Sequence, residues 1–537
     1  MTIALTSLAG SPVAGPEPTL ARAAARLKSG SIREAEELAA GLVVRNPGYG
    51  PAWRLLGQVH ARKAALADAL HCYERALECD PREPLTALEY ARLLLRLGRR
   101  REALAVAEGL ERQNPLSAAA QDGLGTLLTF ADEPRRALPW FERAAAQDPA
   151  NPAFLYNLAT AQRMVGDLEA AERSLDAVIA ARPADFAAYH TRADLRTQTR
   201  ERNHVAQMLP LLASVAESPG RTPLYFALAK ELEDLGEYRR SFEFLRQGCD
   251  LVRGRVSYDV GTDVATMVKL IETHTAARLG EGPRGFDSEE PIFIVGLPRT
   301  GTTLVDRIIS AHSQVYSAGE LSEFASVLVD EVHRLGPAPT SKQQFAERAL
   351  QAEPRKLAKA YLAATRPRTG RTPRFTDKQP LNFLYAGLIH RALPKAAIVA
   401  LERDPMDACY AMYKTLFTSV YPFSYDLTDL GRYYAAWQKL LRHWEATVGE
   451  RWLTVRYEEL VTNPEPVIRR ILSHCGLAWE DRCLAFHEQT AAVTTASAVQ
   501  VRRPIYTASV GAWRRYASEL QPLMQALVAS GIRRSDD

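Results

Sequence analysis

The chain has 537 residues, of which 47% are hydrophobic and 24% charged. This length exceeds that of a single hydrophobic core, so we expect two domains and exclude disorder of the whole chain. Lys and Arg number 67 against 63 Asp and Glu, so the net charge of +4 comes from two populations that nearly cancel. This balance gives no broad basic field, and we expect no nucleic-acid partner.

The cysteines and the N-terminus bear on the compartment. The six cysteines are scattered without metal-ligand or CxxC spacing, which favours a reducing compartment and no metal site. The N-terminal MTIALTSLAGSPVAG has no basic region before its short apolar stretch. No segment offers about 18 uninterrupted apolar residues, the length a membrane span needs. We therefore expect a cytoplasmic protein without a membrane span.

The first half of the chain repeats with a period of 34 residues. Prolines mark the period at Pro47, Pro81, Pro115, Pro149 and Pro183. Small residues form two columns in register, Gly57, Ala91, Gly125, Ala159 and Ala193, and Ala35, Ala69, Ala103, Ala137 and Ala171. A turn column lies between them at Gly30, Ala64, Gly98, Asp132 and Gly166. This pattern resembles the tetratricopeptide repeat, in about seven units over residues 20–250.

The resemblance implies an all-α superhelix. Each repeat buries its apolar face only against its neighbours, so the column residues are structural, and the extended concave face commonly holds a peptide or protein. We expect such a partner here. The polar, glycine-rich GEGPRGFDSEEP then indicates a boundary. We assign 20–250 to the repeat array, 251–289 to a helical linker and 290–530 to a second domain.

The second half opens with a strand, a glycine-containing loop and a helix. Residues 292–295 are continuously apolar, GLPRTGTT follows, and helical spacing begins near Leu304. This order turns backbone N–H groups and a helix N-terminus toward one point, which predicts a phosphate site. Gly296 and Gly301 have the spacing of a nucleotide-hydrolase loop, but Thr302 stands where lysine is required. That residue counts against an ATPase or kinase.

The loop PRTGTT resembles the 5′-phosphosulfate-binding loop of sulfotransferases. Further segments agree in order: GELSEF at 319–324, TDKQPLNF at 376–383, ERDPMDACYAMY at 402–413, VRYEEL at 455–460 and TASAVQVRRPIYTASVGAWRRY at 495–516. The set is similar to bacterial tetratricopeptide-containing sulfotransferases, whose catalytic half resembles the tyrosylprotein sulfotransferases. This implies an α/β P-loop-like domain with a mostly parallel sheet, 3′-phosphoadenosine 5′-phosphosulfate (PAPS) as donor, a hydroxyl acceptor and no metal.

The resemblance also implies catalytic residues. Glu320 matches the family's catalytic glutamate and is the expected general base, while Glu323 is a weaker alternative on a solvated face. Lys378 matches the catalytic lysine, and Ser497 matches a serine beside the leaving phosphate. Arg299 can neutralise sulfuryl and phosphate oxygens with its planar fork.

Arg403 follows shortly after a second apolar run, residues 396–401, and is expected to bind the donor's 3′-phosphate. The alternative is an ion pair with Asp404 or Asp407. The remaining donor contacts are expected from Thr300, Gly301, Thr302, Thr303, Tyr457, Gln500, Arg502 and Tyr506.

Ala411 departs from the family, which has serine there. One hydrogen bond to the 3′-phosphate is then missing, unless Tyr410 or Tyr413 supplies it. His312 is expected to be a packed or capping histidine on the helix after the loop.

Three functions compete. The favoured one is a sulfotransferase that acts on a hydroxyl, with protein tyrosine preferred over carbohydrate, lipid head group or small phenol, and with the array recruiting the acceptor or a partner. The second is a tetratricopeptide adaptor whose nucleotide-binding half is weakly active or inactive, which only Ala411 supports. The third, a kinase or NTPase, is disfavoured by Thr302.

Overall fold

The computed structural model describes residues 15–113, 115–214, 219–417, 420–488 and 503–532. The chain divides into two compact units, Met1–Ala161 and Gln162–Asp537. The helices that begin in the first unit are α1 (Pro16–Lys28), α2 (Ile32–Arg45), α3 (Gly50–Arg62), α4 (Leu66–Cys79), α5 (Pro84–Arg96), α6 (Arg100–Arg112), α7 (Ala118–Phe130), α8 (Pro134–Gln147) and α9 (Pro152–Val165).

The sequence columns are the contact points of paired helices. All five alanines of the second column are fully buried. A Cβ on Gly57 would lie 2.8 Å from the Tyr73 ring, and one on Gly125 would lie 2.8 Å from the Phe141 ring. Every residue of the turn column has positive φ, including the non-glycine residues Ala64 and Asp132. The helical repeat fold is therefore as predicted.

The second unit contains the rest of the helices and the sheet. Its helices are α10 (Leu168–Ala181), α11 (Phe186–Ala193), α12 (Val205–Ser214), α13 (Thr222–Asp234), α14 (Tyr238–Arg253), α15 (Val260–Thr273), α16 (Ala276–Gly280), α17 (Thr302–Ser310), α18 (Glu323–Arg334), α19 (Lys342–Ala349), α20 (Pro354–Thr365), α21 (Ala386–Ala392), α22 (Pro405–Tyr413), α23 (Leu427–Val448), α24 (Tyr457–Thr462), α25 (Pro464–His474) and α26 (Gln521–Ala529). Its strands are β1 (Pro291–Gly296), β2 (Val315–Ser317), β3 (Arg374–Asp377), β4 (Ala397–Glu402) and β5 (Trp452–Arg456).

The five strands form one parallel sheet in the order β2-β3-β1-β4-β5. In register, Phe293 of β1 lies opposite Asp377 of β3 and Ile398 of β4. Parallel sheets are covered on both faces, which explains why β1 and β4 are buried along their whole length. The predicted α/β domain with a mostly parallel sheet is confirmed.

Alternate residues of β1 enter different cores. Ile292 and Ile294 pack in a cluster that includes Ile308 of α17 and Ile468 of α25. Phe293 joins a larger cluster on the other face, with residues of α18, α20, α21 and α23. The period of two along a strand separates these two layers.

The last array helices share the larger core. Phe242 of α14 stacks on Tyr413 of α22 with ring centroids 5.9 Å apart, and the Cys249 thiol lies 3.5 Å from the Tyr413 carbonyl oxygen. Lys414 donates to both carboxylate oxygens of Glu233 on α13, at 3.0 Å each. Helices α13 and α14 thus form part of the compact unit that contains the sheet.

No helix in the described parts of the chain combines the length and the apolar character that crossing a bilayer requires.

Candidate active site

Each strand ends beside a candidate residue or segment. The loop 297–301 follows β1, Lys378 follows β3, Arg403 follows β4 and Tyr457 follows β5. Glu320 lies between β2 and α18. Because all five strands are parallel, their carboxyl ends meet at one edge, where open α/β sheets bind ligands. The fold thus gathers residues that are far apart in the sequence.

The loop after β1 has a turned backbone. Arg299 has φ of 67° and Gly301 has φ of 102°, which lie in the left-handed region. Thr300 is fully buried, and its hydroxyl donates to the Leu297 carbonyl at 2.7 Å, so this side chain stabilises the loop. A Cβ on Gly301 would lie 2.7 Å from the Tyr457 ring. Both its conformation and this contact require glycine.

Helix α17 begins directly after the loop, and Thr302 and Thr303 are its first two residues. Both side chains are buried. The first N–H groups of a helix have no partner within it and carry its positive dipole end. This backbone is suited to an anion, as the sequence predicts.

Arg403 is the central cation of the edge. Its guanidinium donates to the carbonyl oxygens of Arg299 at 3.0 Å and Ser509 at 2.7 Å, and lies 4.7 Å from the centroid of the Tyr457 ring. Arg403 is buried, and its Nε has no hydrogen-bond partner among the described residues. A buried guanidinium held by neutral oxygens keeps its attraction for an anion.

Arg299 shares this environment. Burial lowers the pKa of Arg299, and the nearby charge of Arg403 acts in the same direction, whereas Tyr506 and Asp194 act in the opposite one. Tyr506 also interacts with Tyr457, and burial raises the pKa of Tyr506. The structure therefore brings together Arg299, Arg403, Tyr457 and Tyr506.

The carboxylates next to Arg403 are engaged with backbone groups. The Asp404 side chain accepts from the Met406 and Asp407 N–H groups, both at 3.0 Å, and so caps α22. Asp407 accepts from the N–H groups of Gly511 at 2.5 Å and Trp513 at 3.1 Å. These bonds fix both carboxylates to the backbone, and the charge of Arg403 also acts on Asp407, so the ion-pair alternative stays open.

The sequence reasoning considered Asp407 only as an ion-pair partner of Arg403, and it missed Asp194. Asp407 anchors the segment that carries Ser509, whose hydroxyl hydrogen-bonds the Tyr457 phenol at 2.8 Å. Asp194, at the end of α11, is a repeat-array residue whose charge acts on Arg299. Nothing in the repeat pattern distinguishes Asp194, because its charge acts on a residue that is far away in the sequence.

The β2–β3 side of the edge holds an ion pair. Lys378 Nζ donates to a carboxylate oxygen of Glu320. The Lys378 side chain is 2% exposed and that of Glu320 is 47% exposed. The predicted base and the predicted catalytic cation are therefore in direct contact, with the carboxylate on the open side.

Two buried acids lie beside this pair and were not predicted. Asp306 of α17 accepts from Thr376 at 2.5 Å and Ser317 at 2.9 Å; burial raises its pKa, while the charge of Lys378 opposes that rise. Asp377 is fully buried and accepts from the Tyr361 phenol at 2.8 Å, and burial raises its pKa to about 8. The sequence signal for Asp377 was its place next to Lys378.

The two tyrosines considered as replacements for the missing serine point elsewhere. The Tyr410 hydroxyl lies 3.4 Å from a Glu233 oxygen, and its ring packs 4.6 Å from that of Tyr516. The Tyr413 phenol interacts with Cys249. The idea that either one substitutes for a serine at Ala411 is therefore not supported by their contacts.

Two smaller expectations are corrected. Helix α17 ends at Ser310, so His312 lies beyond the helix, although it is packed as expected, with Nε2 3.1 Å from the Ala478 carbonyl. Glu323 is not on a solvated face, since its side chain is 19% exposed and lies 3.4 Å from Arg368. Ser497, Gln500 and Arg502 lie outside the described residues.

Within the described part of the chain, no three or more His, Cys, Asp or Glu side chains are grouped so that they could hold a metal ion. The sheet edge carries cations, hydroxyls and backbone N–H groups together with the carboxyl groups of Glu320, Asp306 and Asp377.

Comparison with known proteins gives two matches to family models. Residues 291–481 match the sulfotransferase family, and residues 21–176 match the tetratricopeptide repeat. An uncharacterized protein of Aquifex aeolicus (strain VF5) is 31% identical over 399 residues, which cover 72% of this chain and 52% of that protein. Protein-tyrosine sulfotransferase A of Caenorhabditis elegans is 26% identical over 211 residues, which cover 38% of this chain and 54% of that protein. This chain thus spans about half the length of each.

Among solved structures, a thermophilic tetratricopeptide-repeat protein of Thermus thermophilus matches with a TM-score of 0.30 and 19% identity, over 34% of this chain and 98% of that chain.

Proposed function

We propose that this chain, which carries tetratricopeptide repeats at residues 21–176 and a sulfotransferase-family domain at residues 291–481, transfers a sulfuryl group from PAPS to an acceptor hydroxyl. The observation that carries the proposal is the meeting of a turned phosphate loop, two arginines and a Lys–Glu pair at one sheet edge. Protein tyrosine is the favoured acceptor, in line with the names of the relatives.

The donor would bind on the β1–β4–β5 side. Backbone N–H groups of the loop and of the first turn of α17 receive the 5′-phosphosulfate. Arg403 receives the 3′-phosphate, since among the described residues its Nε has no hydrogen-bond partner and its other nitrogens donate to carbonyl oxygens. Arg299, beside it, neutralises the oxygens of the migrating group. An anionic donor suits this side because Arg403 donates to neutral oxygens.

The chemical step uses the β2–β3 side. The acceptor oxygen attacks sulfur, the bond from sulfur to the bridging phosphate oxygen breaks, and the hydroxyl proton passes to Glu320. Lys378 leaves Glu320 and stabilises the charge that develops on the bridging oxygen. The products are a sulfate ester and 3′,5′-adenosine bisphosphate. We further assign Ser497, Gln500, Arg502 and Tyr506 to the donor side, as the family resemblance implies.

The repeat array is proposed to bind a peptide or protein, so that the acceptor is presented at a high local concentration. The test deletion ends before α9 and keeps α13 and α14, because these two helices pack against α22 within the second unit. Removal of residues 1–151 is expected to raise KM for a peptide acceptor and leave donor affinity unchanged. An unaltered KM would contradict recruitment by this part of the array.

The experiment that tests the function is an assay of PAPS conversion to 3′,5′-adenosine bisphosphate with tyrosine peptides and small phenols. We expect acceptor-dependent turnover that Glu320→Gln abolishes. Glu323→Gln is the matched control, since Glu323 lies in the same segment but contacts Arg368. Loss of turnover in the control alone would make Glu323 the base.

The second candidate function is an adaptor whose sulfotransferase-family domain is weakly active or inactive, and Ala411 is the observation that favours it. Direct titration with the bisphosphate separates the two. Weak or absent binding of the bisphosphate supports the adaptor, because Ala411 removes a contact to the 3′-phosphate, whereas tight binding with efficient acceptor-dependent turnover excludes it.

A further inference from the structure

A cavity of about 760 Å³ lies in the second unit, apart from the phosphate loop. Its walls come from α15, from α18 and α19, and from the segment 384–388 that leads into α21. This volume is in the range of sites for small organic molecules. No residue assigned to sulfuryl transfer lines it.

The cavity has an apolar interior and a polar rim. Met267, Leu270, Leu328 and Leu388 line it and are buried. Its rim includes the exposed segment 340–342. An apolar interior behind a polar rim suits a ligand with an apolar body that enters from the solvent side.

The charges on the lining are balanced. Lys342 Nζ contacts a carboxylate oxygen of Asp263 at 2.6 Å, and the other oxygen of Asp263 accepts from the Tyr258 phenol at 2.7 Å. A charged ligand in the interior would lose its hydration without gaining an unpaired counterion from this pair. The lining therefore favours a neutral ligand.

His274 supplies a specific polar group. It lines the cavity and is 1% exposed, and its Nε2 has no hydrogen-bond partner among the described residues. The Thr273 hydroxyl donates to the Lys269 carbonyl at 2.6 Å, so it must accept from His274 Nδ1, 3.0 Å away. Burial lowers the pKa of His274 to about 4, so the ring is neutral near pH 7. Its Nε2 then carries a bare lone pair.

We propose that this cavity binds a neutral, mainly apolar small molecule whose hydroxyl donates a hydrogen bond to His274 Nε2. Its apolar body contacts Met267 and Leu328. A buried acceptor without a donor is costly, and a ligand hydroxyl removes that cost. A hydrocarbon without a donor fills the same volume but leaves Nε2 unpaired.

The cavity is separate from the acceptor position at Glu320. Tyr433, on the cavity wall, stacks on Phe423 with ring centroids 3.6 Å apart. The Phe423 ring in turn lies edge-on to that of Tyr421, with centroids 6.0 Å apart. Burial raises the pKa of Tyr421, and the charge of Glu320 adds to that rise. These ring contacts run from the cavity wall toward the neighbourhood of Glu320. Because no residue assigned to sulfuryl transfer lines the cavity, the proposal does not depend on that activity.

The test is calorimetric titration of the full chain with 1-decanol and with 1-methoxydecane, which lacks the donor. We expect the alcohol to bind about 2 to 10 times more tightly, the contribution of one hydrogen bond. In His274→Phe, which keeps a ring beside Trp444, the two probes should bind equally. A wild-type protein that does not distinguish them overturns the role of His274.

Filling the cavity tests its location. Met267→Trp is expected to weaken 1-decanol binding at least tenfold, while Val268→Trp, on the exposed neighbouring position, leaves it unchanged. Ala346→Leu is a smaller filler in case the tryptophan prevents folding. Equal losses in Met267→Trp and Val268→Trp, or competition between 1-decanol and 3′,5′-adenosine bisphosphate, would overturn the proposal.

Discussion

The two sides of the sheet edge handle charge in opposite ways. On the β1–β4–β5 side, Arg403 donates to the carbonyl oxygens of Arg299 and Ser509. On the β2–β3 side, Lys378 is paired with Glu320, and the buried Asp306 lies nearby. The first arrangement retains its attraction for an anion, whereas the second is neutral until a substrate separates the pair. We therefore expect substitutions on the first side to affect donor affinity and those on the second to affect turnover.

The largest effect on activity is expected on the β2–β3 side, where Lys378 is paired with Glu320. Lys378→Met should lower kcat by about 100- to 1000-fold, because it removes a preorganised cation from the bridging oxygen. The dissociation constant of the bisphosphate should change little. Steady-state kinetics and calorimetry measure the two. Lys439→Met, at an exposed position of α23, is the control. A loss of affinity as large as the loss of turnover would erase the distinction between the sides.

On the other side, Arg403→Ala should weaken binding of 3′,5′-adenosine bisphosphate by about 30-fold or more, in line with the loss of one partner of a buried charge pair. The affinity of Arg403→Lys for the bisphosphate should lie between those of the wild type and Arg403→Ala, since lysine keeps the charge but not the planar fork. Titration calorimetry gives both values. If the lysine variant binds as the wild type does, the guanidinium geometry has no role.

The loop between the sides can be tested through its backbone. Gly301→Ala places a Cβ 2.7 Å from Tyr457 and forces φ near 102° on a residue that avoids it. We expect about 1 to 3 kcal/mol of destabilisation together with weaker donor binding. Gly109→Ala, in α6 with no atom near the added Cβ, should instead stabilise its helix by about 0.5 to 1 kcal/mol. Chemical denaturation compares them, and equal effects would contradict the strain argument.

Asp377, on the β2–β3 side, makes the free energy of unfolding depend on pH. Its pKa is raised to about 8 by burial, so between its unfolded value near pH 4 and pH 8 the folded state holds a proton that the unfolded state has lost. Stability from this group must fall as pH rises through that window and level off above it. Asp377→Asn should reduce the fall by up to about 1.4 kcal/mol per pH unit. If the wild type and Asp377→Asn gave parallel curves of unfolding free energy against pH, the role of Asp377 in the pH dependence would be refuted.

The smallest effect concerns the array. Asp194→Asn removes a carboxylate whose charge acts on Arg299, and should tighten bisphosphate binding by about two- to fivefold at low salt. The gain should disappear at about 1 M salt, where screening is strong. A salt-independent change would indicate a structural cause.

Much of this molecule was predictable from local patterns. The proline and alanine columns predicted the helical repeats, because the contacts they make recur with the period of the chain. The run 292–295 and the loop after it predicted β1, the loop and α17. The same reasoning extended the helix to His312, since helical spacing continues past Ser310, where the backbone turns toward β2.

The domain division remains a prediction from sequence. The repeat units predicted over residues 20–250 led us to end the array near residue 250. In the structure Phe242 and Cys249 of α14 contact Tyr413 of the α/β half. A repeat pattern predicts the contacts of a helix with adjacent repeats, but it does not predict contacts with a separate domain.

The sequence by itself determined the repeat architecture, the phosphate loop and the identities of Arg299, Glu320, Lys378 and Arg403 as candidates. Those signals are local, since they depend on spacing along one segment or on short motifs. Only the tertiary structure decided how their charges are compensated. The Lys378–Glu320 pair, the carbonyl partners of Arg403, the buried Asp306 and the cavity beside His274 all join segments from different parts of the chain, and such contacts exist only once the sheet has formed.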